Sequence, residues 1–241
     1  MLLALGAWES TTRLFQVPPK ILPAPTAIVA ELVDAKKYLG QQTTITLVEV
    51  LSGFGIGLFA AIAVGIPLAL SPTANAVLTP HVVLSQVVPK AALAPLLVIW
   101  VGYGLAPKIL VAGVSSLLPL LTGVAQGLAA PTRDQLELFE GFAASRQEVF
   151  LRLRSPLAIP YLTAALQMGF LYALLGAITA EFVNSDKGLG HVLLAAGDNL
   201  NTPLLFAAIA CAAIIGLVLS GVARVIDRTL RRRLRLDLEN G

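Results

Sequence analysis

PTRDQLELFEGFAASRQEVFLRLRSPLAIP, Pro131 to Pro160, is the one densely charged segment lying between two long apolar runs. Two helix-start signatures sit inside it: Thr132 with Gln135 three residues on, and Ser145 with Glu148 three residues on. In such a capping box the first side chain accepts from the third backbone N–H while the third side chain reaches back to the first. Two boxes in succession predict a short helix, a break near Gly141 to Ala144 and a second short helix, which Pro156 and Pro160 would stop. On a helical wheel Phe139, Phe142, Ala143, Phe150 and Leu153 fall on one side, apart from Glu137, Glu140, Glu148 and Arg152. The piece therefore suits a partner's groove or the surface of its own membrane domain.

Outward from this loop the chain is a membrane protein. With 56% hydrophobic and 13% charged residues over 241 positions, it is far too apolar for a soluble domain of its size. A crossing helix needs about 20 apolar residues. Val50 to Leu70, Ile109 to Ala130, Leu157 to Ala180 and Pro203 to Val222 each contain no Asp, Glu, Lys or Arg, which gives four spans. A fifth, Val77 to Val101, carries His81 and Lys90, and Pro80, Pro89 and Pro95 predict three interruptions of its backbone bonding. The first residues, MLLALGAWES, lack a basic n-region and cleavage site and read as the tail end of a first span. The expected fold is an all-α membrane protein, one domain over residues 1–241, with five full spans plus a partial or truncated first one.

Between the spans, Pro18, Pro19, Pro23 and Pro25 predict an extended connection, and Thr26 is expected to cap a short amphipathic helix. Gly53, Gly57, Ala61 and Gly65, each four apart, form a stripe for close helix packing, inside the subunit or across a dimer axis; Gly123 and Gly127 repeat the pattern. Placing the Pro131–Pro160 loop and the C-terminus in the cytoplasm puts ten basic residues inside, four in the loop and six from Arg224 to Arg235, against six outside. The closing RTLRRRLRLDLENG is a basic run directly after a span, which suits anionic lipid rather than nucleic acid.

Little in the chain suggests chemistry of its own. Cys211 lies inside an apolar span, and His81 and His191 stand far apart with no carboxylate cluster near either, so no metal site and no catalytic residue are expected. No G-x-x-x-x-G-K-[ST] loop is present, so ATP hydrolysis is not expected of this chain. Two ionisable residues stand out. Lys90, between Pro89 and Pro95, sits deep in the broken span, where an isolated charge is costly without water or a counter-charge. It either pairs with Glu49 or Glu181, snorkels to one surface, or lines a translocation path. Glu181 ends the fifth span and is either a solvated boundary carboxylate or part of a gate or protein contact at the outer mouth.

The loop resembles the signature of ABC-importer membrane subunits, a Glu-Ala-Ala, a Gly four residues after the second Ala, then Ile-x-Leu-Pro. Glu137 falls on the Glu, Leu138 and Phe139 on the alanines, Ala143 on the Gly, and Leu153, Ser155 and Pro156 on Ile, Leu and Pro. Ala143 is the departure with most physical content, because a positive φ there is far easier for Gly; Gly141 is expected to take over that role, ahead of the second cap at Ser145. PKAALAPLLVIWVGYG and TAEFVNSDKGLGHVL are similar to the corresponding stretches of permeases in the nitrate, sulfonate and taurine group. The resemblance implies a type I ABC-importer permease in a bacterial inner or plasma membrane, paired with a second permease copy, identical or related. It implies an external substrate-binding protein and cytoplasmic ABC ATPase subunits that carry the ATP and Mg, with no cofactor on this chain. The cargo it implies is a small anionic solute such as nitrate, a sulfonate or taurine, or alternatively a thiamine-pyrimidine or flavin-type nutrient. An ATPase-independent secondary transporter or channel is the rival class, although inverted repeats and paired broken helices are not evident in the sequence.

Overall fold

A computed structural model of the chain describes residues 2–87 and 89–233, and within these the side chains of a few residues, Lys90 among them, lie outside the description. The elements in order are α1 (Leu2–Leu14), α2 (Pro25–Asp34), α3 (Lys36–Leu70), α4 (Pro72–Val87), α5 (Lys90–Val101), α6 (Leu105–Leu128), α7 (Arg133–Gly141), α8 (Arg146–Val149), a π-helical segment (Phe150–Arg154), α9 (Ser155–Asn184), α10 (Leu189–Asp198) and α11 (Thr202–Arg233). The described residues are all-helical. Among the described residues four helical runs are long and apolar enough to cross a membrane: Lys36–Leu70, Leu105–Leu128, Arg146–Val183 and Thr202–Arg232.

The centre of the bundle is α6, packed between α3 and α9. The small-residue stripe on α3 explains the first contact. A Cβ on Gly53 would lie 2.5 Å from the Ala112 Cβ and 2.7 Å from the Ile109 carbonyl, one on Gly57 would meet Ser116, and one on Gly65 would lie 2.6 Å from Val124. Because both sets of numbers rise together, α3 and α6 run parallel, and the stripe packs inside the subunit. Gly123 and Gly127 do the same for α9, against Ala165 and Ala158, with the numbers running oppositely, so α6 and α9 are antiparallel. Next, α11 lies antiparallel to α9, Gly216 near Leu171 and Leu174 and Asp227 bonded to Thr163. Phe54 and Phe170 stack with centroids 3.9 Å apart and close the core between α3 and α9.

Several local expectations change. The helix containing the first charge-free window starts at Lys36, well before Val50. Thr26 is not a cap: Ala24 is the N-cap and Pro25 opens α2, its missing N–H being harmless in the first turn. The Thr26 N–H and hydroxyl instead bond Glu9 on α1, and that backbone bond, ahead of Arg13, holds the Glu9 carboxyl below the ordinary glutamate range.

Prolines interrupt less than the sequence suggests. Pro80 and Pro95 lie inside α4 and α5, and Pro89 is the N-cap of α5. Pro156 and Pro160 do not stop the second loop helix, which runs on from Arg146 to Asn184. A proline clashes with the carbonyl four residues back. At Pro156 that carbonyl belongs to Arg152, inside the π-helical segment, where the wider turn relieves the clash without breaking the helix.

Candidate functional site

At one end of the bundle lies the two-helix turn. Both capping boxes form: Gln135 N donates to Thr132 Oγ1 at 3.3 Å and Thr132 N to Gln135 Oε1 at 3.0 Å. Glu148 N donates to Ser145 Oγ at 3.3 Å and Ser145 N to Glu148 Oε2 at 3.0 Å. The intervening break is a Schellman motif, with Ala143 N donating to Glu140 O at 2.8 Å and Ala144 N to Phe139 O at 3.0 Å. That pattern places the left-handed residue two positions beyond Gly141. Gly141 is the last residue of α7, and Ala143 takes φ +52° itself, correcting the expectation that Gly141 would do so. A left-handed L-residue costs about 1–2 kcal/mol. Neighbouring structure must hold it there, and the Schellman bonds before the break with the Ser145 cap after it supply that hold.

The apolar residues of the turn do not share one face. Leu153 is buried against the bundle and Phe150 half-buried, whereas Phe142 is 77% exposed and Leu138, four residues before it, 59% exposed. They present a small apolar knob beside the exposed Ala143, while Glu137 on α7 accepts from Arg133 Nε at 2.7 Å. The second helix is anchored by Arg154, whose Nη1 donates to Leu128 O at 2.6 Å and so closes the open carbonyl end of α6. From Ser145 the chain climbs through α8, the π segment, Pro156 and α9 without interruption to Glu181. That rise is about 50 Å at 1.5 Å per residue.

At the opposite end, three charges are buried together. Glu49 on α3 and Glu181 on α9 are both 0% exposed, and Lys108 on α6 is 7% exposed. Lys108 Nζ lies 3.2 Å from Glu49 Oε1 and donates to Ser185 Oγ at 2.5 Å. Glu181 accepts from the Thr46 hydroxyl at 2.7 Å and from Gly190 N at 2.6 Å. Gly188 N donates to Gln42 Oε1 at 2.6 Å and Leu189 N to Thr46 Oγ1 at 2.9 Å. Three successive amides at the start of α10 are thus held by side chains of α3 and α9. Gly188, at φ +100°, lies so close to the Glu181 carboxylate that a side chain has no room. Lys108 pairs with Glu49, and Glu181 is buried beside that pair. Beside Lys108 and Ser185 a cleft of about 420 Å³ opens, lined also by Tyr103, Gly104 and Asp186.

Of the residues expected on a path, Glu181 is therefore buried and bonded within the subunit, not solvated at a boundary. Pro89 and Pro95 are exposed on α5 and its N-cap, and the Lys90 side chain lies outside the described residues. Among the described residues no three His, Cys, Asp or Glu side chains gather as a metal site would require. Lys108 was not singled out by sequence reasoning, although a signal existed. Glu49, Lys108 and Glu181 each stand immediately beside a charge-free window.

Residues 53–235 match the family model described as the inner membrane component of binding-protein-dependent transport systems. Two relatives are 33% identical to the chain. One is a probable ABC transporter permease of Haemophilus influenzae, matched over 85% of this chain and 84% of its own. The other is the riboflavin transport system permease of Chloroflexus aurantiacus, over 96% and 87%. The taurine transport permease of Escherichia coli is 29% identical over 94% and 85%. In architecture the chain is similar to a chain of the inward-facing MetNI methionine ABC transporter, with a TM-score of 0.73 at 17% identity, covering 82% of this chain and 98% of that one.

Proposed function

The chain belongs to the inner membrane components of binding-protein-dependent transport systems, and from that premise we propose how this ABC importer permease works. It is a multi-pass protein of the cell membrane. The turn at Thr132–Ser145 lies in the cytoplasm and seats the Leu138–Phe142 knob in a groove of an ATPase subunit; Glu137 and the backbone at Ala143 set the approach. The observation carrying this reading is an apolar pair left exposed on a turn that two caps and a Schellman motif otherwise hold fixed. Movement at the turn passes along the unbroken α8–α9 helix to Glu181 and so to α10. The chain supplies a path and a lever; ATP and Mg belong to the partner.

In this orientation α4 and α5 together make a fifth crossing, and α10 with the Lys108 cleft faces the outside, where a substrate-binding protein delivers cargo. Two permease copies, identical or related, enclose the path, with Lys90, Pro89 and Pro95 on it. The solute we favour is a small anion of the nitrate, sulfonate or taurine type. In support, relatives include taurine and aliphatic sulfonate permeases. The second reading, a flavin- or pyrimidine-type nutrient, draws on the riboflavin and formylaminopyrimidine relatives.

The test of docking is co-purification. With Phe142→Ala, membrane insertion should be unchanged while ATPase capture and stimulated ATP turnover fall. Capture and turnover equal to those of the unaltered chain would remove the knob from the mechanism. For the cargo, uptake in Lys90→Met and Lys90→Arg at matched membrane levels separates the readings: a path lysine requires loss in Met and retention in Arg.

A further inference from the structure

A polar cleft of about 190 Å³ lies between α9 and α11, near the end that carries the two-helix turn. It is lined by Pro160, Thr163, Gln167, Arg224, Asp227 and Arg231 with small alanines between. The one carboxylate among its described lining residues is already engaged: Asp227 Oδ1 accepts from Thr163 Oγ1 at 2.7 Å and from Arg231 Nε at 2.8 Å. Asp227 therefore acts as a bracket that fixes the Arg231 guanidinium. Arg224 donates only through Nε to Ser220 O, on its own helix at 3.3 Å, and its two terminal nitrogens take no protein acceptor among the described residues. Two arginines against one carboxylate leave the cleft cationic, and Arg228 and Arg232 extend the same side of α11.

A second groove, of about 350 Å³, adjoins the first across Thr163, which lines both. Its walls are apolar, among them Ile62 from α3, Phe150, Ile159, Leu162 and Leu166, with Leu230 from the end of α11. A guanidinium-lined cleft beside an apolar groove fits an amphiphile with an anionic phosphate head, rather than a free anion that has no use for the groove. Depth agrees. In the orientation proposed above, Arg224 stands two residues beyond Val222, the cytoplasmic end of the charge-free window of α11, at the edge of the apolar layer.

We propose that the Arg224–Asp227–Arg231 cleft binds the phosphate of one anionic phospholipid of the cytoplasmic leaflet, with an acyl chain in the groove walled by Ile62, Leu162 and Leu230. The placement rests on the orientation above; the binding site does not depend on ATPase docking. Bidentate guanidinium–phosphate contact makes Arg224 the main contributor.

The experiment uses the full chain in phosphatidylcholine nanodiscs with and without phosphatidylglycerol, reading by native mass spectrometry the lipid that stays bound after release. One phosphatidylglycerol per chain should be retained. Arg224→Gln should hold it about tenfold more weakly, as loss of one charge-assisted pair implies, with its melting midpoint in pure phosphatidylcholine unchanged because the side chain is exposed. Arg232→Gln, on the same helix side but outside the cleft lining, should retain the lipid. Equal loss in Arg224→Gln and Arg232→Gln would reduce the site to diffuse surface charge, and equal retention of phosphatidylcholine would remove the charge selectivity. Displacement of the lipid by inorganic phosphate would overturn the lipid in favour of a free-anion site. A Phe142→Ala chain that fails to capture ATPase yet keeps its phosphatidylglycerol separates this proposal from the docking one.

Discussion

Replacing Glu181 by alanine removes the acceptor for both the Thr46 hydroxyl and Gly190 N, at a site with no solvent exposure. Each hydrogen bond contributes about 1 kcal/mol or more, and a buried amide left without a partner costs about 1–3 kcal/mol. Against this stands one gain: with Glu181 gone, Lys108 and Glu49 are left as a simple pair. The stranded amide and hydroxyl win over that gain, so Glu181→Ala should lose about 3–5 kcal/mol, the range for breaking a buried charged network. For a chain of this size that is on the order of 10 °C in melting midpoint. Glu181→Gln should behave differently. Its oxygen can accept from Gly190 N, its amide can donate to Thr46 Oγ1, and the Glu49–Lys108 pair becomes one-to-one. The Gln protein should therefore melt within a few degrees of the unaltered one. Thermal unfolding in detergent checks the order, and amide exchange of residues 188–198 checks the cause, since only the alanine should release the start of α10. An alanine protein as stable as the parent, or a glutamine protein as damaged as the alanine one, would refute the hold of Glu181 on the start of α10.

Two further substitutions probe the turn and the packing. Ala143→Gly should stabilise the turn by about 0.5–1 kcal/mol, the relief of a left-handed alanine exceeding the extra backbone entropy of glycine, read as slower amide exchange at Ala144. Gly53→Ala should destabilise by about 1–3 kcal/mol through overpacking against Ala112 and the Ile109 carbonyl. Gly55→Ala, two residues away with open space around it, should be neutral or slightly stabilising in the same melting assay.

The loop was legible in detail because its signals are local. A Thr or Ser with Gln or Glu three residues later specifies a bond within one turn of helix, and both boxes formed where the spacing put them. The small-residue stripe on α3 was legible for a similar reason, since four-residue spacing fixes a face, though not which helix would cover it. Prolines misled in the broken span and after the loop because their effect depends on the turns beside them. A π-helical segment before Pro156 leaves no mark in the sequence. The Glu49–Lys108–Glu181 cluster was hidden by a convention. Charges beside apolar windows read as the water boundary, whereas α3 continues outward to Lys36 and α10 lies against the site, so all three are enclosed.

The central claim is that the exposed knob of the two-helix turn is the seat of the ATPase. With Cys211 replaced by alanine, a single cysteine at Phe142 should crosslink to the ATPase subunit in native membranes. A single cysteine at Phe59, exposed on the apolar side of α3, should not. An ATPase crosslink from position 59 with none from position 142 would contradict the account.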